Sequence, residues 1–394
     1  MNTDVAVVID IPGRGQGLKA ARNVTAGEVI LSDLPIFIAQ NDVGEFCTAC
    51  LRALAGRNDT VACHDCGQAT FCSGACERLA QEDPAGHSPA VCRTLSKLDL
   101  HGLSGESVAA LRFLVQAQAL FMASAHNEAA RGRWAAFAGL SGAADSKSKD
   151  SSDLFRRLST ATFSAQLPQL AGSRPFLPEE VADALAKEEL NGYGIMAQSG
   201  PQGERRIRGT AIYPTASLIN HECLPNVART DDFDAADVKA PHNTAVHFKA
   251  LHDLPAGEEF TQSYFPMHTS YPVRQQRCQE QYGFTCTCPR CKEESTWPSD
   301  DEADSLGEGD MEVEAGGEPG SSMEAAEGEG ERADAGYIQV FLLKYVCPQA
   351  DCFGTMVPSQ PGSSVHVCNM CGCQRSEAQF LADLKAAHSA EAMA

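Results

Sequence analysis

No stretch of this sequence approaches the ~20 uninterrupted apolar residues of a membrane span, so none is expected. Nor does Met1-Asn2-Thr3-Asp4 open a positive region followed by a long apolar run, so a secretory signal is not expected either. Positive charge is scarce: 31 lysines and arginines stand against 52 acidic residues, a formal net charge of −21. Residues 293–331 hold fifteen of the acidic residues and no basic one, which leaves about −6 for the remainder. That balance supplies no surface for tracking phosphates, so direct nucleic-acid binding is not expected. The same segment has few large apolar groups to offset its ordering entropy and reads as a disordered acidic linker over 293–333.

Cysteine, by contrast, is abundant. Seventeen in a secreted chain would suggest a disulfide scaffold. Spaced like metal ligands in a chain without a signal, they point to zinc in a reducing compartment, nucleus or cytoplasm. Cys47, Cys50, Cys63, Cys66, Cys72, Cys76, His87 and Cys92 offer eight ligands, enough for two tetrahedral zincs. Metal binding would supply the folding energy of so short a segment. Cys286, Cys288 and Cys291 leave a third tetrahedron one ligand short, and Cys223 completes it. Cys347, Cys352, Cys368 and Cys371 follow a Cys-x4-Cys-x15-Cys-x2-Cys ribbon spacing, with Cys373 a competitor for Cys371. Cys278 is left free. His242, His247 and His252 share no ligand spacing and read as ordinary strand and loop histidines.

At 394 residues and 43% hydrophobic content, the chain can bury a substantial core in two or three units. Short strands are expected over 5–9, 17–21, 28–31 and 36–39, with a glycine turn at Gly13-Arg14-Gly15-Gln16-Gly17 between the first two. Apolar residues at helical spacing predict a helix over 105–126, capped by Ser104. Another is predicted from Pro178 through Leu190, with Glu179 and Glu180 in its first turn. Residues 141–152 are small and polar and read as a loop. Strands are expected over 246–250 and 259–265. In Ser217-Leu218-Ile219-Asn220-His221-Glu222-Cys223-Leu224-Pro225-Asn226 an apolar run gives way to polar side chains that compete for backbone hydrogen bonds, and then to a proline. Regular structure should stop there in an irregular turn.

The glycine loop, the Asn220-His221 turn, Gly257-Glu258-Glu259 leading to Tyr264, and the Cys286-x-Cys288-x-x-Cys291 tail occur in the order that marks SET-domain protein lysine methyltransferases, which this chain resembles. Residues 47–92 resemble a MYND finger. By that resemblance the ligands interleave, with Cys47, Cys50, Cys72 and Cys76 on one zinc and Cys63, Cys66, His87 and Cys92 on the other. With an acidic linker and a ribbon after the tail, the chain looks like the plant SET-and-MYND proteins grouped as ASH-related histone methyltransferases.

The resemblance implies a mixed α+β fold of small curved sheets with a threaded Asn-His segment, split by the finger and a helical insert. The units would be an N-terminal SET part at 1–46, finger at 47–92, helical insert at 93–190 and core SET at 191–266. A post-SET tail at 267–292, the linker at 293–333 and the ribbon at 334–394 complete the chain. It implies S-adenosylmethionine as cofactor and four zincs in all. Arg14, Gly15, Gln16, Gly17, Asn191, Asn220, His221 and Phe284 would bind the cofactor. Tyr264 would be catalytic as well as cofactor-binding, and Tyr193, Tyr264 and Tyr282 would line a substrate channel. The substrate would be a lysine-bearing protein, histone tails included, and the finger would take proline-rich peptides. The competing class is a MYND adaptor whose SET fold has lost activity.

Overall fold

The structure, a computed structural model, describes residues 4–40, 44–142, 176–196, 207–235, 242–297 and 332–391. Six small sheets form among them, of two or three strands each. Ala6–Ile11 and Gly15–Ala20 make an antiparallel hairpin. Val29–Asp33, Val246–Ala250 and Val227–Thr230 form one three-stranded sheet, with the middle strand central. Phe37–Gln40, Ile207–Ile212 and Gly192–Met196 form another, in that order. Their apolar faces meet in a core containing Leu18, Ile30, Tyr213, Phe248 and Phe260.

The expected irregular turn is partly regular. Asn220–His221 is a short strand, paired in parallel with Thr261–Gln262. The polar side chains that were expected to disrupt the backbone bond elsewhere, leaving it free to pair. The strand expected over 259–265 is reduced to those two residues; just before them the Phe260 N–H turns to the Leu18 carbonyl at 2.8 Å, and Asn226 braces the segment. Its Nδ2 donates to the Glu259 carbonyl at 2.7 Å and its Oδ1 accepts from the Thr261 N–H at 2.8 Å. Farther on, the Ser263 hydroxyl turns the chain by donating to the Phe265 carbonyl at 2.6 Å.

The helix Gly105–Ser124 begins where its cap predicts, the Ser104 hydroxyl accepting from the Ser107 N–H at 3.2 Å. Its window Ser107–Ser124 has a mean hydropathy of 1.3, apolar enough by length and composition alone to cross a membrane, although Arg112, Gln116 and Gln118 interrupt it. In this fold 56% of that window is buried inside the protein, where it packs with Phe37 and Phe137. Arg112, buried within it, donates to the Gln68 side chain and carbonyl of the finger at 2.7 and 3.0 Å. The helix Pro178–Asn191 starts as predicted, with the Glu180 carboxylate accepting from the Leu177 N–H at 2.7 Å. The expected loop at 141–152 lies outside the described residues beyond 142, and the expected disordered linker lies outside them from 298 to 331.

The cysteine-rich finger is fastened to the neighbouring sheets by polar bonds. Fully buried Arg208 donates to the Leu51 carbonyl at 2.9 Å and pairs with Asp234 at 2.7 Å. After the strand Thr261–Gln262 come two helices, Tyr271–Tyr282 and Pro289–Glu294. The C-terminal unit adds a helix, Ala335–Tyr345, to the strands Met356–Pro358, Val365–Cys368 and Gln374–Ser376. It is docked on the core. Phe341, Tyr345 and Val357 pack with Ala228, Leu251 and Met267, and the Tyr345 hydroxyl donates to the Leu251 carbonyl at 3.1 Å. At Gly27 (φ +84°) a Cβ would come within 2.5 Å of the Gln360 carbonyl, so the contact requires glycine there.

Candidate active site

Four clusters of ligand atoms stand ready for metal. They are Cys47, Cys50, Cys72 and Cys76; Cys63, Cys66, His87 and Cys92; Cys223, Cys286, Cys288 and Cys291; and Cys347, Cys352, Cys368 and Cys371. Within each, the ligand atoms lie no more than 4.8 Å apart. Sulfurs bound about 2.3 Å from a tetrahedral zinc stand about 3.8 Å from one another. The separations fit that figure: 3.8 Å for Cys50–Cys72, 3.5 Å for Cys63–Cys92, 3.9 Å for Cys223–Cys286 and 3.6 Å for Cys352–Cys368. The seventeen cysteines, all among the described residues, form no disulfide. Burial, and then the charge of Arg112, pushes the His87 imidazole down to about 4, so it is neutral, the ligating form, near pH 7. Cys371 joins the fourth cluster and Cys373 does not. Cys278 is buried beside the third without joining it.

A cavity of about 630 Å³ opens in front of the third cluster, a size suited to a cofactor. Gly13, Arg14, Gly15, Gln16, Asn191, Asn220, His221, Tyr264, Tyr282 and Phe284 all line it. Gly17 stands behind this wall. A Cβ there would come within 2.2 Å of the Ile11 side chain and 2.9 Å of the Asn220 amide, so glycine lets the hairpin close on Asn220. Arg14 reaches across the hairpin, donating to the His221 carbonyl at 2.6 Å and to Glu259 at 3.1 Å. Asn220 donates to the same Glu259 at 3.0 Å. The Asn191 amide donates to the carbonyls of Ser141 and Lys187 at 2.9 and 2.8 Å, tying the helical insert to the cavity rim.

The three tyrosines are not equivalent. Tyr264 packs on Tyr282 with ring centroids 4.8 Å apart and planes tilted by 47°, and donates its hydroxyl proton to the Ile219 carbonyl at 3.2 Å. Its oxygen is thereby left as an acceptor beside that carbonyl. The Tyr193 hydroxyl is used twice, donating to the Ala216 carbonyl at 2.9 Å and accepting from Gln262 at 2.6 Å. Burial pushes the hydroxyls of both Tyr193 and Tyr264 above the ordinary tyrosine value. Burial also raises Glu222, to about 7, with the nearby Cys288 adding to the rise.

Several contributors had no role in the sequence reading. Glu259 belongs to the quoted motif but was given no function, and Gln262 lies in the same stretch. Leu140, Ser141 and Lys292 reach the cavity from distant segments. Behind the third cluster, fully buried Arg274 donates to Cys223 Sγ at 3.2 Å and pairs with Glu294, which also holds Arg290 at 2.6 Å. Arg290 and Glu294 are an i,i+4 pair on one helix, but no local spacing announces Arg274 as the third member.

The SET domain family matches residues 15–265. The histone-lysine N-methyltransferase ASHR2 of Arabidopsis thaliana is 31% identical over 94% of this chain and 95% of its own length. The human histone-lysine N-methyltransferase SMYD3 is 26% identical over 71% of this chain, which covers 59% of that longer protein. Among solved structures, the SET domain of LSMT bound to lysine and AdoHcy matches with a TM-score of 0.37 and 14% identity, over 74% of this chain and 54% of that one. With its paired cysteine finger set within a matched SET domain, the chain belongs to the SET-domain family, in its SET-and-MYND branch related to the ASH proteins.

Proposed function

We propose that this protein is an S-adenosylmethionine-dependent protein lysine N-methyltransferase, acting on a lysine in a basic segment such as a histone tail. The observation that carries the reading is Tyr264, which lines the same cavity as the glycine hairpin and Asn220. When bound there, the cofactor supplies an electrophilic methyl group on a sulfonium. The cavity residues would hold it, with Gln16 and Arg14 on the hairpin side and Phe284 across from them.

A free lysine ammonium, with a pKa of ~10.4, has no lone pair and must lose a proton before it attacks. An aromatic channel of Tyr193, Tyr264 and Tyr282 disfavours the charged form by desolvation. Tyr264 Oη and the Ile219 carbonyl form an acceptor pair that aligns the amine with the methyl group for in-line displacement.

A second cavity, about 800 Å³, lies between the SET strands and the C-terminal unit, lined by Arg229, Asp231 and Asp232 on one side and by Asn369 and Met370 on the other. Arg229 sits 5.7 Å over the Tyr193 ring. We read this cavity as the groove for residues flanking the target lysine, with the ribbon as its outer wall. Incubation with methyl-labelled S-adenosylmethionine and histones or cell lysate tests the activity. Failure of the protein to bind the cofactor by calorimetry would leave the adaptor reading in its place.

A further inference from the structure

The His221 imidazole stands between the third cysteine cluster and Tyr264, and both of its nitrogens are engaged. The residue is only 4% exposed. Nδ1 accepts the Tyr264 backbone N–H at 3.1 Å, which places the ring proton on Nε2. Nε2 lies 3.3 Å from Cys223 Sγ, with the Cys278 thiol a second sulfur beside the ring, so its N–H points into the cysteine cluster with Cys223 as the ligand it meets. The ring therefore has no nitrogen left for the cofactor contact that the resemblance implies for His221. The backbone of His221 serves other partners: its carbonyl accepts from Arg14 at 2.6 Å and its strand pairs with Gln262.

We propose that His221 is a positioning residue that couples the Cys223–Cys286–Cys288–Cys291 metal site to Tyr264. It does so by donating Nε2–H to the Cys223 sulfur and accepting the Tyr264 N–H at Nδ1. Hydrogen bonds to a ligating atom orient it and spread its charge, and their loss typically costs 10–100-fold in metal affinity or activity. Cys223 has a second such donor in Arg274, at 3.2 Å. Tyr264 depends on the link more heavily. Its hydroxyl is held by the Ile219 carbonyl, and its ring packs on His221 at 5.1 Å and on Tyr282. A zinc that fixes Cys223 thus fixes the ring of His221, and the ring fixes the backbone from which the Tyr264 hydroxyl is aimed.

Two substitutions in the full chain separate the two bonds. The amide nitrogen of His221→Gln can reach the Nε2 position and keep the sulfur bond, while the carbonyl of His221→Asn takes the Nδ1 position and keeps the Tyr264 bond. Zinc release to a chelating dye, steady-state kinetics, and the ¹⁵N imidazole spectrum of the wild type are measured. His221→Asn is expected to release one zinc about tenfold faster than wild type. His221→Gln is expected to release zinc at the wild-type rate while kcat falls about tenfold and KM for S-adenosylmethionine stays within about twofold. The wild-type spectrum is expected to show the proton on Nε2. Unaltered zinc release from His221→Asn, a raised cofactor KM with unchanged kcat in either variant, or a proton on Nδ1 in the wild type would each overturn the proposal. The kinetic arm rests on the methyltransferase reading. The zinc and NMR arms do not, so loss of that reading and loss of this one are distinguishable, and the NMR arm needs no variant to fold.

Discussion

Asn226 and Thr261 hold each other twice: the Thr261 N–H donates to Asn226 Oδ1 at 2.8 Å, and the Asn226 N–H donates to the Thr261 carbonyl at 3.1 Å. With the Asn226 amide on the Glu259 carbonyl, one buried side chain fixes the segment that runs on to Tyr264. Asn226→Ala leaves a buried donor and a buried acceptor without partners. It is expected to cost about 2–4 kcal/mol. Urea denaturation of wild type and variant measures this, and a loss under about 0.5 kcal/mol would show that water replaces the amide.

Tyr264→Phe keeps the ring on Tyr282 and removes only the hydroxyl. Methyl transfer is expected to fall at least about 10²-fold, the range seen when one aligned polar group is removed from a reacting centre. Cofactor affinity by calorimetry should stay within about twofold. Undiminished transfer by this variant would remove Tyr264 from the catalytic role.

The pH dependence follows from the buried tyrosines. Burial raises the Tyr264 and Tyr193 pKa values above the ordinary ~10, so the fold favours the protonated hydroxyls. A group raised in the folded state contributes stability that is fully present below about pH 10 and is lost as pH climbs past it. Activity should therefore rise with pH as the substrate lysine loses its proton, without a descending limb from these hydroxyls up to about pH 10. A pH–rate profile that turns down near pH 9 in wild type and not in Tyr193→Phe would contradict this.

Elemental analysis of the full chain should find four zincs, because four clusters have ligand spacing that suits the metal. Cys223→Ser should lose one, and Cys347→Ser a different one. Retention of all four in Cys223→Ser would mean that the third site closes without that residue.

The Ala333 N–H donates to the Pro289 carbonyl at 3.2 Å, so the chain re-enters the described structure beside the helix Pro289–Glu294 that it left. Residues 298–331 can accordingly be replaced by a short glycine-serine bridge without undocking the C-terminal unit. This excision is expected to leave zinc content and thermal stability unchanged. It should alter KM for basic peptides at low salt, an effect that shrinks as ionic strength rises. Equal KM values at low salt would make the segment a tether only.

The sequence by itself determined what depends on chemistry and short spacing. Within the finger, in the Cys286–Cys291 tail and in the ribbon, cysteines a few residues apart can reach one centre with little chain between them, so most ligands could be read directly. The helix over Gly105–Ser124 and its Ser104 cap were legible for the same reason, since a cap and its turn are local. Tertiary structure decided what lies between distant segments. The bracing of the segment before Tyr264 comes from Asn226, 35 residues away from Thr261, and the pattern of residues 259–265 carries no trace of it. The docking of the C-terminal unit depends on Phe341 and Tyr345 meeting Ala228 and Leu251, and the sequence alone allowed a free tether. The resemblance gave His221, backbone and side chain alike, to the cofactor. Its ring turns instead toward Cys223 and the Tyr264 backbone, because hydrogen-bond direction is set by which buried donors and acceptors surround the ring after folding.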